Sequence, residues 1–233
     1  ALGWPRFEGA IEGVLPGLKV RNGTLTMDGA FTAKAFDGDM RLDNLRLTGM
    51  FSSLPRLEAD LVIRRIDLEQ LTRTFNFGSI MGRVDLDIAN FKMLRWRPYT
   101  FDAVLRTAEN DEKPHKISQK AVNMITDLGG LQGALSRSFM KFIDTFRYDR
   151  LELSCKLRRN VCHMDGVKAA PRQEDGEQGY YIVKGKWLPN LNIVGYQNRV
   201  DWNQLVAGVK EAIANNQEIG VDVGVIAAPE ARE

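Results

Sequence analysis

The chain is poor in the side chains that most chemistry needs: two histidines and two cysteines among 233 residues. His115 and His163 are far apart in sequence, and three zinc donors arise only by joining Cys155 to Cys162 and His163. Neighbours on a strand point to opposite faces, so Cys162 and His163 make a poor shared ligand pair and no metal is expected. An excess of one charge is also lacking. Thirty-two Lys and Arg face 30 Asp and Glu, a net charge of +2, which gives no electrostatic footprint for nucleic acid. No apolar run approaches the roughly 18 residues of a membrane span, and Ala1 to Arg6 lacks the charged start and apolar segment of a signal peptide. Gly9, Gly13 and Gly17 are not followed by Lys-Ser or Lys-Thr, which excludes a phosphate loop. Ser136 and Ser138 lie outside any Gly-x-Ser-x-Gly elbow, and Asp85 and Asp87 fall on the polar side of a strand. No enzyme activity and no cofactor are therefore expected.

What is present is alternation. With 44% hydrophobic and 27% charged residues the chain can bury an ordinary core, as one large domain or two small ones. Because it opens on Ala1 rather than Met and runs at once into patterned sequence, it reads as a piece of a longer protein. From Thr24 to Ala35 the positions Leu25, Met27, Phe31, Ala33 and Ala35 are apolar between polar neighbours, the period of a half-buried strand. Asp37-Gly38 is expected as the hairpin turn. Met40 and Leu42 then stand on one phase and Leu45 and Leu47 on the other, so a bulge at Asp43-Asn44 would return both pairs to one face. Leu57 to Ile63 makes a third strand, Asp67 caps a short helical turn, Ile80 to Ile88 makes a fourth strand, and Phe101 to Leu105 a fifth. Strands this closely spaced favour an antiparallel meander.

Residues 109–114 are charged and end in proline, which reads as a loop or hinge. A helix from about Ser118 to Leu128 is expected next, broken by Gly129-Gly130. A second carries Leu131, Leu135, Phe139, Phe142 and Phe146 as one stripe, either packed on the sheet or touching lipid. Strands resume at Leu151, at Val161, at Tyr180 and at Leu191, and Asp201 caps a last amphipathic helix. Cys155 and Cys162 flank Arg158-Arg159, a hairpin register expected to set the sulfurs opposite each other. A disulfide there would imply an oxidising compartment, and two free buried thiols are the alternative.

Several segments resemble the C-terminal region of large proteobacterial AsmA-like proteins of the YdbH and TamB type. They include Phe36-Asp37-Gly38, Ile66-Asp67-Leu68-Glu69-Gln70-Leu71-Thr72, Phe75-Asn76-Phe77-Gly78-Ser79-Ile80-Met81-Gly82 and Trp96-Arg97-Pro98-Tyr99-Thr100-Phe101. Phe142-Ile143-Asp144-Thr145-Phe146, Val161-Cys162-His163-Met164-Asp165-Gly166 and Val200-Asp201-Trp202 continue the likeness, which runs from about Gly9 to Gly208. The resemblance implies a periplasmic protein, anchored at the inner membrane and reaching the outer membrane, whose strands form a β-groove carrying phospholipid. It also implies a small outer-membrane lipoprotein as partner, adding strands to an open edge.

The expected fold is therefore α+β, a predominantly antiparallel sheet, groove-like or curved, with about three amphipathic helices. Residues 1–110 form the β-rich segment, 111–216 the helical pair, disulfide hairpin, further strands and last helix, and 217–233 a flexible tail. Leu25, Met27, Phe31, Leu61, Ile63, Val84, Leu86 and Phe101 are the expected groove residues. Leu135, Phe139, Phe142 and Phe146 are the expected membrane-touching or capping stripe. The rival reading is a non-enzymatic adaptor that binds its partner by strand addition.

Overall fold

The structure, a computed structural model, describes residues 12–14, 16–128, 144–172, 176, 178–186 and 192–218. The first half contains β1 (Glu12–Val14), β2 (Gly17–Arg21), β3 (Thr24–Asp28), β4 (Phe31–Ala35), β5 (Gly38–Thr48) and β6 (Arg56–Asp67). Helix α1 (Leu68–Thr74), β7 (Ile80–Met81), β8 (Arg83–Leu94) and β9 (Arg97–Thr107) follow. Next come β10 (Lys116–Ser118), α2 (Gln119–Leu128), β11 (Thr145–Arg158), β12 (Val161–Gly166) and β13 (Ala169–Arg172). The chain continues through β14 (Gln178–Gly185), β15 (Ile193–Gly195), β16 (Arg199–Asp201) and α3 (Trp202–Glu218).

The main sheet is an antiparallel meander. β1 and β2 together line β3 and β4, which pair with β5, and the ladder continues through β6, β8, β9, β11, β12 and β16. It is open, not closed into a barrel. The ladder runs across residue 110, because β11 returns beside β9 after the α2 excursion and pairs with it from Glu152↔Arg106 to Arg158↔Thr100.

Register turns the alternating pattern into one apolar face. Ala33, Met40, Ile63, Leu86, Leu105 and Leu153 are successive cross-strand partners, and so are Phe31, Leu42, Leu61, Ile88, Ala103, Cys155 and Met164. The opposite face carries charge, with Arg64 bonded to Asp87 at 2.5 Å, Arg106 to Asp87 at 3.4 Å, and Arg158 to both oxygens of Asp102 at 2.8 and 2.9 Å. Such exposed pairs add at most about 1 kcal/mol each, so the apolar face and the backbone ladder dominate.

Bulges keep that face in phase, one of them at Tyr99 of β9, where Lys92 pairs with Thr100 and Met93 with Pro98. Register slips between Asp43 and Arg46 of β5, as the sequence pattern required, and again at Asn90 of β8 and Arg65 of β6. Asn44, Arg65 and Asn90 adopt positive φ of 56°, 59° and 55°. Carboxylates hold the bulged residues in place. Asp60 accepts from Asn44 Nδ2 at 2.6 Å and from the Asn90 backbone N–H at 2.7 Å, and Asp85 accepts from the Arg65 N–H at 2.9 Å.

Two-residue hairpins with both central residues at positive φ join the strands at Asn22-Gly23, Phe36-Asp37, Arg95-Trp96 and Arg159-Asn160. Two expectations shift by one residue. The β4–β5 turn is Phe36-Asp37 rather than Asp37-Gly38, since Gly38 already pairs with Ala35. Gly38 is needed for closeness instead: a Cβ there would lie 2.8 Å from the Arg64 carbonyl oxygen. In the β11–β12 hairpin, Cys155 pairs with Met164 and Cys162 with Leu157, so the cysteines lie diagonally on one face and not directly opposite. They form a disulfide across a Cα–Cα distance of 5.4 Å.

One end of the sheet is capped. Ile66 and Val84 of the apolar face join Leu68 of α1, Ile80, Ile117, Ala121 and Val122 of α2, Phe146, Tyr148 and Leu151, and Tyr180, Ile182, Val183 and Ile193 of the small β13–β15 flap in one buried cluster. Asp67 caps α1 as expected, accepting from the Glu69 and Gln70 N–H groups, and Asp201 accepts from the Gln204 N–H at 3.0 Å to cap α3. Phe146 departs from expectation. It lies in β11, not on a helix, pairs with Ile117 and is 4% exposed. Leu135, Phe139 and Phe142 lie outside the described residues.

Replacing Asp60 with Ala leaves two bulges without their acceptor and is expected to cost about 1 to 3 kcal/mol in urea unfolding. Reducing the Cys155–Cys162 bond, whose ends are 7 residues apart, is expected to cost about 2.5 kcal/mol by loop-closure entropy, read as a drop in denaturation midpoint with dithiothreitol.

Candidate functional site

The apolar face away from the capped end is one candidate surface. Leu25, Met27, Phe31, Leu61, Ile63 and Leu86 are all half-exposed on it. Val84 and Phe101 are not available in the same way. Val84 is 1% exposed within the core cluster, and Phe101, 6% exposed, lies under the Trp202 ring at 5.1 Å between centroids. Helix α3 contacts α2 and β16, and its Trp202 ring shields Phe101 of β9. Of the six half-exposed residues, Ile63 alone packs against the core cluster of the capped end. What such a surface can do is shelter apolar matter, because half-exposed aliphatic side chains in register gain by losing contact with water.

The sheet also has an open edge. Every residue of β2 is exposed, with Leu18 48% and Val20 64% exposed, and among the described residues β2 pairs only with β3. An edge of that kind offers unpaired N–H and C=O groups to an added strand.

Two hollows are lined in large part by polar side chains. One, of about 560 Å³, is an open depression lined by Lys34, Asp39, Arg41 and Arg64 together with Ala33 and Met40. The other, of about 400 Å³, is better built and was not legible from sequence. Asp111, inside the charged loop, is buried and accepts from the Arg83 N–H at 2.6 Å, the Lys113 N–H at 3.2 Å and His115 Nε2 at 3.2 Å. His115 stacks on Tyr148 at 4.9 Å, and the Tyr148 hydroxyl donates to the Met81 carbonyl at 2.7 Å. Gly82, at φ 125°, makes this possible, since a Cβ there would lie 2.6 Å from the Tyr148 oxygen. Lys116, directly across the ladder from Arg147, and Lys186 line the rim, a grouping of cations suited to an anion.

The electrostatics make this region a fastener. Burial pushes the Tyr148 phenol well above its ordinary pKa, helped by the charge of Asp111, so it remains a hydrogen-bond donor and is no base. Burial would raise Asp111, but the Arg83 and Lys113 N–H groups and His115 outweigh it and hold the carboxyl below the usual range. Asp67 behaves alike: burial is outweighed by the Lys113 ammonium and the Gln70 and Glu69 N–H groups. The charged loop is thereby tied to the start of α1 and to β8. Among the described residues no three His, Cys, Asp or Glu side chains gather as metal ligands.

No family model matches the chain, and neither the curated proteins nor the solved structures hold a match to it.

Because both folded carboxylates titrate below the ordinary aspartate value of 3.8, they stabilise the native state above that pH. That stability is expected to disappear as the pH falls below 3.8 through the folded values, and Asp67→Asn or Asp111→Asn should flatten this acid limb in urea titrations at stepped pH.

Proposed function

We propose that this chain is a non-catalytic, lipid-carrying segment of a cell-envelope protein of the AsmA-like kind it resembles. In this reading it works in the periplasm, within a protein anchored at the inner membrane and reaching the outer, and passes phospholipid along its sheet. The observation that supports it is the unbroken cross-strand row Phe31, Leu42, Leu61, Ile88, Ala103, Cys155 and Met164, half-exposed on one side of an open sheet whose other side is charged. An acyl chain laid along such a row gains about 0.8 kcal/mol per buried methylene, while the charged back keeps the segment in water. Transport is passive: no residue changes state. The disulfide accords with an oxidising compartment.

A second reading is favoured by the bare β2 edge: an adaptor that receives a strand from a small outer-membrane lipoprotein, with no lipid on the face. Expression behind a periplasmic signal, detergent-free purification, and native mass spectrometry with lipid extraction separate the two. Bound phospholipid is expected in the parent chain, and its loss in Leu61→Arg and Leu86→Arg variants whose circular dichroism is unchanged. A lipid-free parent, or variants that keep their lipid, would overturn the proposal; partner capture abolished by Val20→Pro would then support the adaptor.

A further inference from the structure

At the end of the sheet opposite the capped core, three of the turns lie side by side. Arg21, Thr24, Thr48, Arg56, Leu94 and Arg97 are successive partners in one cross-strand row, which aligns the Asn22-Gly23 turn, the 49–55 loop and the Arg95-Trp96 turn. Backbone bonds tie the turns together, from the Gly49 N–H to the Gly23 carbonyl at 3.1 Å and from the Arg95 N–H to the Pro55 carbonyl at 2.9 Å.

This end carries an unusual surface. Met50 is 38% exposed, Phe51 96%, Leu54 43%, Leu94 38%, Trp96 56% and Tyr99 44%. The remaining exposed large apolar side chains among the described residues, Leu18 and Val20, stand on the adjoining strand β2. Nothing in a folded monomer requires a phenylalanine held almost wholly in water. Arg21, Arg56, Arg95 and Arg97 stand exposed among these side chains, and none of them forms an ion pair among the described residues. The segments 21–24, 49–56 and 94–99 contain no carboxylate, although the chain as a whole is near charge balance.

We propose that this turn end docks on an anionic lipid bilayer, with Phe51, Trp96 and Tyr99 entering the headgroup region and the arginines meeting lipid phosphates. Tryptophan and tyrosine beside arginine is the composition that water–lipid interfaces favour, since each ring has an apolar body and a polar tip. Separate protruding turns suit a yielding lipid surface better than a shaped protein pocket, and cations without carboxylates match a negative one. The surface is continuous with the apolar face through the row Val20, Leu25, Leu47, Leu57, Met93 and Pro98. The docking takes its purpose from the lipid-carrying reading, and its support from different residues.

The test is flotation of the chain with phosphatidylcholine vesicles, with and without phosphatidylglycerol. Flotation is expected with the anionic vesicles and weakening as salt is raised. The double variant Phe51→Ser, Trp96→Ser should bind about tenfold or more weakly to both vesicle types. Arg95→Gln and Arg97→Gln should each lose about fivefold on anionic vesicles only. All four side chains are exposed, so unchanged melting curves will verify folding. A parent chain that floats with neither vesicle, as a protein-docking surface would behave, overturns the proposal, and so do variants that float like the parent. Lipid extraction from the same preparations keeps the two readings apart. Tip variants that retain copurified lipid yet fail to float would implicate docking alone, whereas a chain that floats but never carries lipid would sink the lipid-carrying function and leave the docking standing.

Discussion

Everything described here depends on keeping period-two strands in phase over a wide sheet. A slip of one residue would send each apolar side chain to the charged face, so long strands with irregular turns need correction along the way. Asn44, Arg65 and Asn90 make those corrections by adopting left-handed backbone conformations. Left-handed geometry is unfavourable for a side chain like that of Arg65, and the carboxylates of Asp60 and Asp85 accept the displaced donors that would otherwise be unpaired. Asp60 serves two bulges in strands on either side of its own, which couples the registers of β5, β6 and β8.

The two ends of the sheet are treated differently. At one, helices, short strands and the β13–β15 flap supply the fully buried side chains, and the Asp67–Lys113 and Asp111–His115 contacts fasten a charged loop over them. At the other, turns stand bare. Stability is therefore concentrated at the capped end, while the exposed face and turns contribute little packing and are free to engage other matter.

Much of the fold was legible because alternation is a local signal. The meander, the bulge at Asp43-Asn44, the caps at Asp67 and Asp201 and the linkage of Cys155 to Cys162 all follow from neighbours in sequence. Errors arose where a distant partner decides. Phe146 shares helical spacing with Phe139 and Phe142, but Ile117 recruits it into a strand. The Phe36-Asp37 turn was displaced because glycine suggested a turn, whereas Gly38 answers to the approach of β6. Val84 and Phe101 look like Leu61 and Leu86 in pattern, and only the core cluster and Trp202 distinguish them. Asp111 sits in a stretch whose composition says loop, and its burial comes from strands far along the chain. The bare turn end escaped notice for the same reason: sequence gives the residue type, and exposure is a property of the assembled sheet.

The long excursion between β9 and β11 has a kinetic side. The β2–β3, β4–β5 and β8–β9 hairpins close over two-residue turns, and β8 returns to β6 after only the short α1 and β7 segment, so that half of the sheet can zip sequentially as the chain emerges. β11 must instead find β9 across the whole α2 segment, with the loop-closure entropy met before any ladder bond forms. Until it arrives, β9 is a bare edge with Phe101 and Leu105 uncovered, which makes the wait for β11 the interval in which this chain is most exposed to mispairing with another copy of itself.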